Sequence, residues 1–246
     1  MNTPVIVSFA NIGYRIFSEN LLRNLRDKIH KHRAVFYCLD KELYDVLLPY
    51  STDNIQVILY QETSGIKDFV DFGNSDGFRD LMRIKTDILI KAVKEYSFIH
   101  FIDGDVVFYR EPPEDYYAKY SDYDIIYQGE TCIPDPQFIT WTCTGNFVLR
   151  NTERTITLLK LIQEYQDKHS VAEQEAQRLI FSDSNITDIR NYPHANLTEF
   201  PREEVTPGCM VNKIDKNRII LFHANHTVGF NNKRDILKYA GMWYMG

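Results

Sequence analysis

The most constraining feature of this chain is an almost wholly apolar run, Phe98-Ile99-His100-Phe101-Ile102, that stops at Asp103-Gly104-Asp105. Such a run reads as a strand buried on both faces, which requires a sheet covered by helices on both sides. At its end, two carboxylates at i and i+2 in extended backbone point to the same side, and the glycine between them lets the chain turn closely around an ion. The pair can therefore share one hard cation. Oxygen ligands suit Mg²⁺ or Mn²⁺, ions that bridge protein carboxylates to phosphate oxygens.

Two other readings of this segment stay open when it is taken alone. Asp-Gly between two apolar runs is also a type I′ hairpin signal. The aspartate pair of haloacid-dehalogenase-type phosphatases likewise follows a buried strand, but there a threonine follows the second aspartate and the strand is the first; here Val106 follows and the strand is about the fourth.

The surrounding pattern supports an α/β domain with a largely parallel sheet and helices on both faces. Thr3 to Phe9 is a β-branched strand, Asn11-Ile12-Gly13 a turn, and Phe17, Leu21, Leu22, Leu25 and Ile29 fall at helical spacing. Ala34–Leu39 and Ile55–Tyr60 read as further strands, with a short helix closed by Pro49 between them. Residues 61 to 77 lack periodicity, and a loop of that length in a compact domain suggests a mobile flap. A helix is expected from about Asp76 to Lys94, with Lys85 on its apolar stripe. Strands follow at Asp124–Tyr127 and Asn146–Arg150, then a helix from Thr152, a last strand over Arg218–Phe222 and a terminal helix from about Lys233.

With 246 residues, 44% of them hydrophobic, the chain can bury a sizeable core as one domain. A net charge of −6 with no Lys/Arg stripe excludes an electrostatic footprint for nucleic acid. The N-terminus has no positive region and the longest apolar runs are strand-sized, so neither a signal peptide nor a membrane span is expected, and the chain reads as cytoplasmic or otherwise soluble. Cys38, Cys132, Cys143 and Cys209 are widely spaced without a CxxC pair, which favours free thiols in a reducing compartment. Sequons at Asn185, Asn196 and Asn225 carry no weight without a secretion signal.

Placed cations and imidazoles extend the metal reading. After the last strand come His223-Ala224-Asn225-His226-Thr227-Val228-Gly229, then Lys233. Imidazole beside carboxylates favours Mn²⁺ over Mg²⁺, and a glycine followed by a lysine offers backbone N–H groups and one charge to a phosphate. A helix cap with a solvated lysine is the alternative. Lys85 either snorkels to water or meets an anion, such as Asp103, because an unpaired buried ammonium is costly. Glu173-Gln174-Glu175 stands at a helix start, where carboxylates favour the dipole and one can also reach a sugar hydroxyl.

Taken together these segments resemble the nucleotide-diphospho-sugar transferases, the group with plant cell-wall arabinosyl-, galactosyl- and xylosyltransferases, and more distantly the glycogenin-like transferases. Phe98 to Phe108 is similar to that family's strand bearing the Asp-x-Asp signature, and Thr144-Gly145-Asn146-Phe147-Val148-Leu149-Arg150 to its Thr-Gly-x-x-x-x-Arg segment. His223-Ala224-Asn225 with Gly229 and Lys233, then Gly241-Met242-Trp243, is similar to its C-terminal signature, and Phe78 and Lys85 match the preceding helix. The matches run in order from about residue 78 to 243. Two departures stand out: Glu173-Gln174 replaces the family's usual Asp-Gln, and His226 takes a position more often aromatic.

The resemblance implies a single GT-A-type domain over residues 1–246: an α/β, Rossmann-like fold with a mixed, mostly parallel sheet flanked by helices. It implies transfer of a hexose or pentose from a nucleotide sugar, with UDP as the nucleotide and retention at the anomeric carbon, to a glycan or other hydroxyl acceptor. Mn²⁺ or Mg²⁺ would be held by Asp103, Asp105 and His223, with His226 as the rival ligand. Phe9, Ala10, Asn11, Tyr14, Gly104, Asn146, Gly229 and Lys233 would contact the donor, with Lys85, Glu173 and Gln174 at the reacting sugar. Rival functions are a metal-dependent sugar-phosphate nucleotidyltransferase, for which Asn11 to Arg15 supplies only one glycine of the expected glycine-rich loop, and a non-catalytic carbohydrate- or nucleotide-binding module.

Overall fold

A computed structural model describes residues 3–60, 65–66, 68–70, 75–132 and 142–246. The first half alternates strand and helix: β1 (Val5–Ala10), α1 (Arg15–Lys28), β2 (Ala34–Cys38), α2 (Lys41–Leu47), β3 (Ile55–Leu59), α3 (Asp76–Tyr96) and β4 (Phe98–Ile102). Then come β5 (Val106–Phe108), β6 (Ile125–Gly129), β7 (Thr142–Arg150), α4 (Glu153–His169), α5 (Glu173–Asp183), β8 (Leu197–Glu199), β9 (Val205–Pro207), β10 (Leu221–His223) and α6 (Phe230–Tyr239).

The helices start where side chains satisfy their free N–H groups. Asp40 accepts from Leu43 N, Ser75 from Phe78 N and Thr152 from Thr155 N, each cap contributing about 1 kcal/mol. Ser97 at the end of α3 takes the left-handed conformation, which turns the chain straight into β4.

Seven strands of the described residues form one sheet in the order β3-β2-β1-β4-β7-β6-β8. Only β7 runs against its neighbours. Leu81, Ile88 and Leu89 of α3, Leu158 and Ile162 of α4 and Ile180 of α5 pack on one face of the sheet. Leu21, Leu22 and Leu25 of α1 and Leu43 and Leu47 of α2 pack on the other, so β4 is buried on both sides. The fold class expected from the strand-helix alternation is the one observed.

A second, three-stranded sheet has the order β5-β10-β9. It settles the Asp-Gly ambiguity: β5 pairs antiparallel with β10, Val106 opposite His223, rather than folding back on β4, so Asp103-Gly104-Asp105 is a crossover between two sheets and not a hairpin turn. The last strand is also shorter than its apolar run. Arg218 and Ile219 donate to Asp215 O in a turn, and ladder pairing begins at Leu221. A small core of Phe17, Val107, Phe222, Leu237 and Met242 holds this sheet against α1 and α6.

Two expectations change. Cys132 and Cys209 form a disulfide across 77 residues of sequence, leaving only Cys38 and Cys143 as free, buried thiols, so the inference of a reducing compartment loses its support. The pairing comes from topology: Cys132 follows β6, and Cys209 follows β9, whose end is held where Gly208 N donates to Asn225 Oδ1 at 2.7 Å. Of the expected flap, residues 61–64, 67 and 71–74 lie outside the described residues. The carbonyls of Ile66 and Val70 within it accept hydrogen bonds from Asn11 and Tyr14.

Candidate metal and donor site

The C-terminal ends of β1 and β4 open into a cavity of about 470 Å³. Ligands of open α/β sheets bind at this edge. Asp103 is fixed there because its N–H donates to Gly145 O on β7 at 2.7 Å. Asp105 is carried by the turn into β5, where its carbonyl accepts from Ala224 N at 3.1 Å. His223 arrives on β10. Oxygens of Asp103 and Asp105 and a ring nitrogen of His223 lie within 4.8 Å of one another. The bare Cα of Gly145 makes this possible: a Cβ there would stand 2.5 Å from His223 Cε1 and closer still to Asp103 Oδ2.

Charge is concentrated around these groups. His223 Nε2 is 3.3 Å from Asp105 Oδ1, and Lys233 Nζ is 2.6 Å from Asp105 Oδ2. Burial pushes the Asp105 carboxyl up, but the Lys233 ammonium and, after it, the neighbouring His223 ring more than reverse this and hold it well below the usual carboxylate range. Lys85, only 1% exposed, lies 2.7 Å from Glu173 Oε1 and 3.4 Å from Asp103 Oδ1. Burial disfavours its ammonium, but Asp103 and Glu173 outweigh that and raise its pKa, so it remains charged. It meets anions rather than snorkelling. Its ammonium also sits 4.7 Å from the centre of the Phe101 ring.

Glu173 and Gln174 open α5 against β7. Thr144 Oγ1 donates to Glu173 Oε1 at 2.9 Å, and Thr144 N to Gln174 Oε1 at 3.2 Å. Glu173 Oε2 is buried without a hydrogen-bond partner among the described residues, although the side chain lines the cavity. An acceptor-only oxygen in that situation is suited to a ligand hydroxyl.

The cavity wall gathers Phe9, Ala10, Asn11, Tyr14, Lys85, Asp103, Gly104, Asp105, Glu173, Gln174, His223 and Lys233, most of the residues singled out in the sequence. Two others stand elsewhere. Asn146 is fully buried behind the wall, its amide tied to His100 and Gln128, so it offers nothing to a donor directly. Gly229 is not itself in the wall; it caps α6 at φ 93°, next to Val228, which is. His226 reaches the cavity but groups with Cys132, Cys209 and Glu130, apart from the two aspartates. Sequence reasoning missed the steric role of Gly145, and also Gln128 and His100. The available signal was a polar side chain inside an otherwise apolar strand.

The fold is that of the GT-A glycosyltransferases. The chain spans 100% of itself and 61% of the glycosyltransferase GlyE of Streptococcus pneumoniae TIGR4 at 10% identity and TM-score 0.60. Against the galactosyltransferase LgtC in complex with donor and acceptor sugar analogs, 98% of this chain and 96% of that one align at 9% identity and TM-score 0.59. Mouse xyloside xylosyltransferase 1 aligns over 91% and 98% at 12% identity and TM-score 0.56. No curated protein sequence matches the chain. The sequence matches the nucleotide-diphospho-sugar transferase family over residues 30–237, and the chain belongs to that family. Among the described residues, no helix is long and apolar enough to cross a membrane.

Proposed function

We propose that this chain is a divalent-metal-dependent glycosyltransferase that moves a hexosyl or pentosyl unit from a UDP-sugar to a hydroxyl of a glycan or other acceptor, with retention of configuration. The observation that carries this is the meeting of Asp103, Asp105 and His223 on the cavity, with Lys233 and Lys85 beside them. Family membership supplies the nucleotide-sugar donor.

Two carboxylates and an imidazole form a donor set that fits Mn²⁺ or Mg²⁺, and the missing Cβ of Gly145 keeps them together. A bound ion would supply Lewis-acid neutralisation of the departing diphosphate. The protein's own groups act around that event. Lys233, one turn into α6, presents positive charge on the same side as the helix N-terminus, where free N–H groups favour phosphate. Lys85 and Glu173 brace Asp103 and fix its carboxylate. The Glu173 and Gln174 side chains line the part of the cavity that would hold the donor sugar, and the end of β1 with Asn11 and Tyr14 receives the nucleoside.

The test is a panel of nucleotide sugars incubated with Mn²⁺ and candidate hydroxyl acceptors, with release of nucleoside diphosphate as readout. UDP from a UDP-sugar is expected. Pyrophosphate released from a nucleoside triphosphate plus sugar phosphate would assign nucleotidyl transfer instead, and no release from any donor would leave only a binding module. UDP affinity should collapse on addition of EDTA; equal affinity with and without it would remove the metal from the reading.

A further inference from the structure

Behind the cavity wall a line of buried polar side chains runs through the main sheet to His223. Tyr117 OH is 2.9 Å from His100 Nδ1, and His100 Nε2 is 2.7 Å from Asn146 Oδ1. Asn146 Nδ2 donates to Gln128 Oε1 at 2.9 Å, and Gln128 Oε1 lies 3.2 Å from His223 Nδ1. Tyr117 and His100 are 1% exposed, Asn146 and Gln128 0%, and His223 3%. Polar groups this deep are costly unless their hydrogen bonds match donor to acceptor.

We infer that this chain is a polarity relay in which Tyr117, His100, Asn146 and Gln128 are positioning residues that set the tautomer of His223, leaving its Nε2 bare for the metal. The direction follows from the far end. Among the described residues the Tyr117 hydroxyl has His100 as its hydrogen-bonding partner, so its buried proton must go to Nδ1. Burial lowers the His100 pKa to about 4, so the ring is neutral, and a neutral imidazole that accepts at Nδ1 must donate at Nε2. Asn146 then accepts with Oδ1 and donates with Nδ2, and Gln128 presents Oε1 to His223. An acceptor beside Nδ1 places the His223 proton there. Nε2, the nitrogen facing Asp105, is thereby left to offer its lone pair to an ion that the two residues would hold between them.

Cys143 Sγ, 3.6 Å from the same nitrogen, is the weaker partner. Gln128 Nε2 has no partner among the described residues, and reversing the amide would only exchange an unpaired donor for an unpaired acceptor. The Tyr117 proton therefore decides between the two directions. The inference rests on His223 as a metal ligand.

Asn146→Asp tests it because the side chain keeps its shape but can only accept. Gln128 must then turn Nε2 toward position 146 and toward His223 Nδ1, which forces the proton of His223 onto Nε2. Mn²⁺ affinity, read from the EPR signal of free Mn²⁺ at saturating UDP, should fall about 10- to 100-fold in this variant. His223→Ala is the parallel control. If it binds Mn²⁺ as well as the wild type, the metal reading fails; if it is impaired while Asn146→Asp is not, only the relay is overturned. ¹⁵N imidazole spectra of the wild type with Mg²⁺ and UDP give a readout independent of whether the variant folds. His100 should carry its proton on Nε2, and a proton on Nδ1 overturns the relay.

Discussion

Lys233 Nζ lies 2.6 Å from Asp105 Oδ2, joining the last helix to the crossover between the two sheets across 128 residues of sequence. Lys233 is the leading influence that holds the Asp105 carboxyl below its ordinary range against the cost of burial. A carboxyl depressed in the folded state contributes stability that is present above its unfolded pKa, about 3.9, and is lost as pH falls toward the folded value. In Lys233→Met that contribution shrinks, so acid unfolding of the metal-free protein should begin at higher pH in a circular dichroism titration. UDP affinity should fall about tenfold, the weight of a charge-assisted hydrogen bond. An unchanged acid midpoint would show that the pair does not stabilise the fold.

Gly145→Ala should separate the site from the fold. Its methyl would press on Asp103 and His223 together, so both ligand side chains must move. A misplacement of about 1 Å can reduce function about 100-fold, and that loss is expected in Mn²⁺-dependent UDP binding measured by calorimetry. Overpacking costs about 1–3 kcal/mol, so thermal unfolding should remain cooperative. Full affinity in this variant would mean that the two side chains do not act as a unit.

Lys85→Met leaves Glu173 charged and without its cation in the protein interior. Breaking one partner of a buried pair destabilises by about 3–5 kcal/mol, which urea unfolding can measure. Adding Glu173→Gln should return most of the stability, since the orphaned charge is then gone, while sugar transfer stays low. Recovery of transfer in the double variant would assign the pair a structural role alone.

Reduction of Cys132–Cys209 releases a loop of 77 residues. The loop-entropy relation gives about 4.5 kcal/mol for a span of this size. A dithiol reductant should therefore lower the unfolding temperature of the wild type and leave Cys132→Ser/Cys209→Ser unaffected. Equal unfolding temperatures for the oxidised wild type and the double variant would indicate that the bond adds no stability.

What was legible in the sequence depended on range. Phe98–Asp105, the stripe of α3 and the start of α5 are local patterns, where period and capping residues declare the element within a few positions. The second sheet was not legible, because strands of three residues at 106–108, 205–207 and 221–223 gain their meaning only from one another. Asp103, Asp105 and His223 could be nominated by residue type. The reason Gly145 must be glycine, and the reason a glutamine and a histidine sit inside apolar strands, appear only when residues far apart in sequence become neighbours. The disulfide was hidden for the same cause: spacing says nothing when topology brings the sulfurs together.

The crossover at Asp103-Gly104-Asp105 has a mechanical consequence. Asp103 is anchored to the main sheet through Gly145, whereas Asp105 and His223 ride on the small one. A ligand that engages all three spans the seam and acts as a rivet between two sheets that also share an apolar core, where Val106, Phe108 and Leu221 of the small sheet cluster with Ile6, Phe36 and Val148 of the main one. Occupancy then raises the free energy needed to part the sheets in proportion to the logarithm of ligand concentration. Hydrogen exchange along β10 would therefore gauge whether the donor is seated, without any turnover being followed.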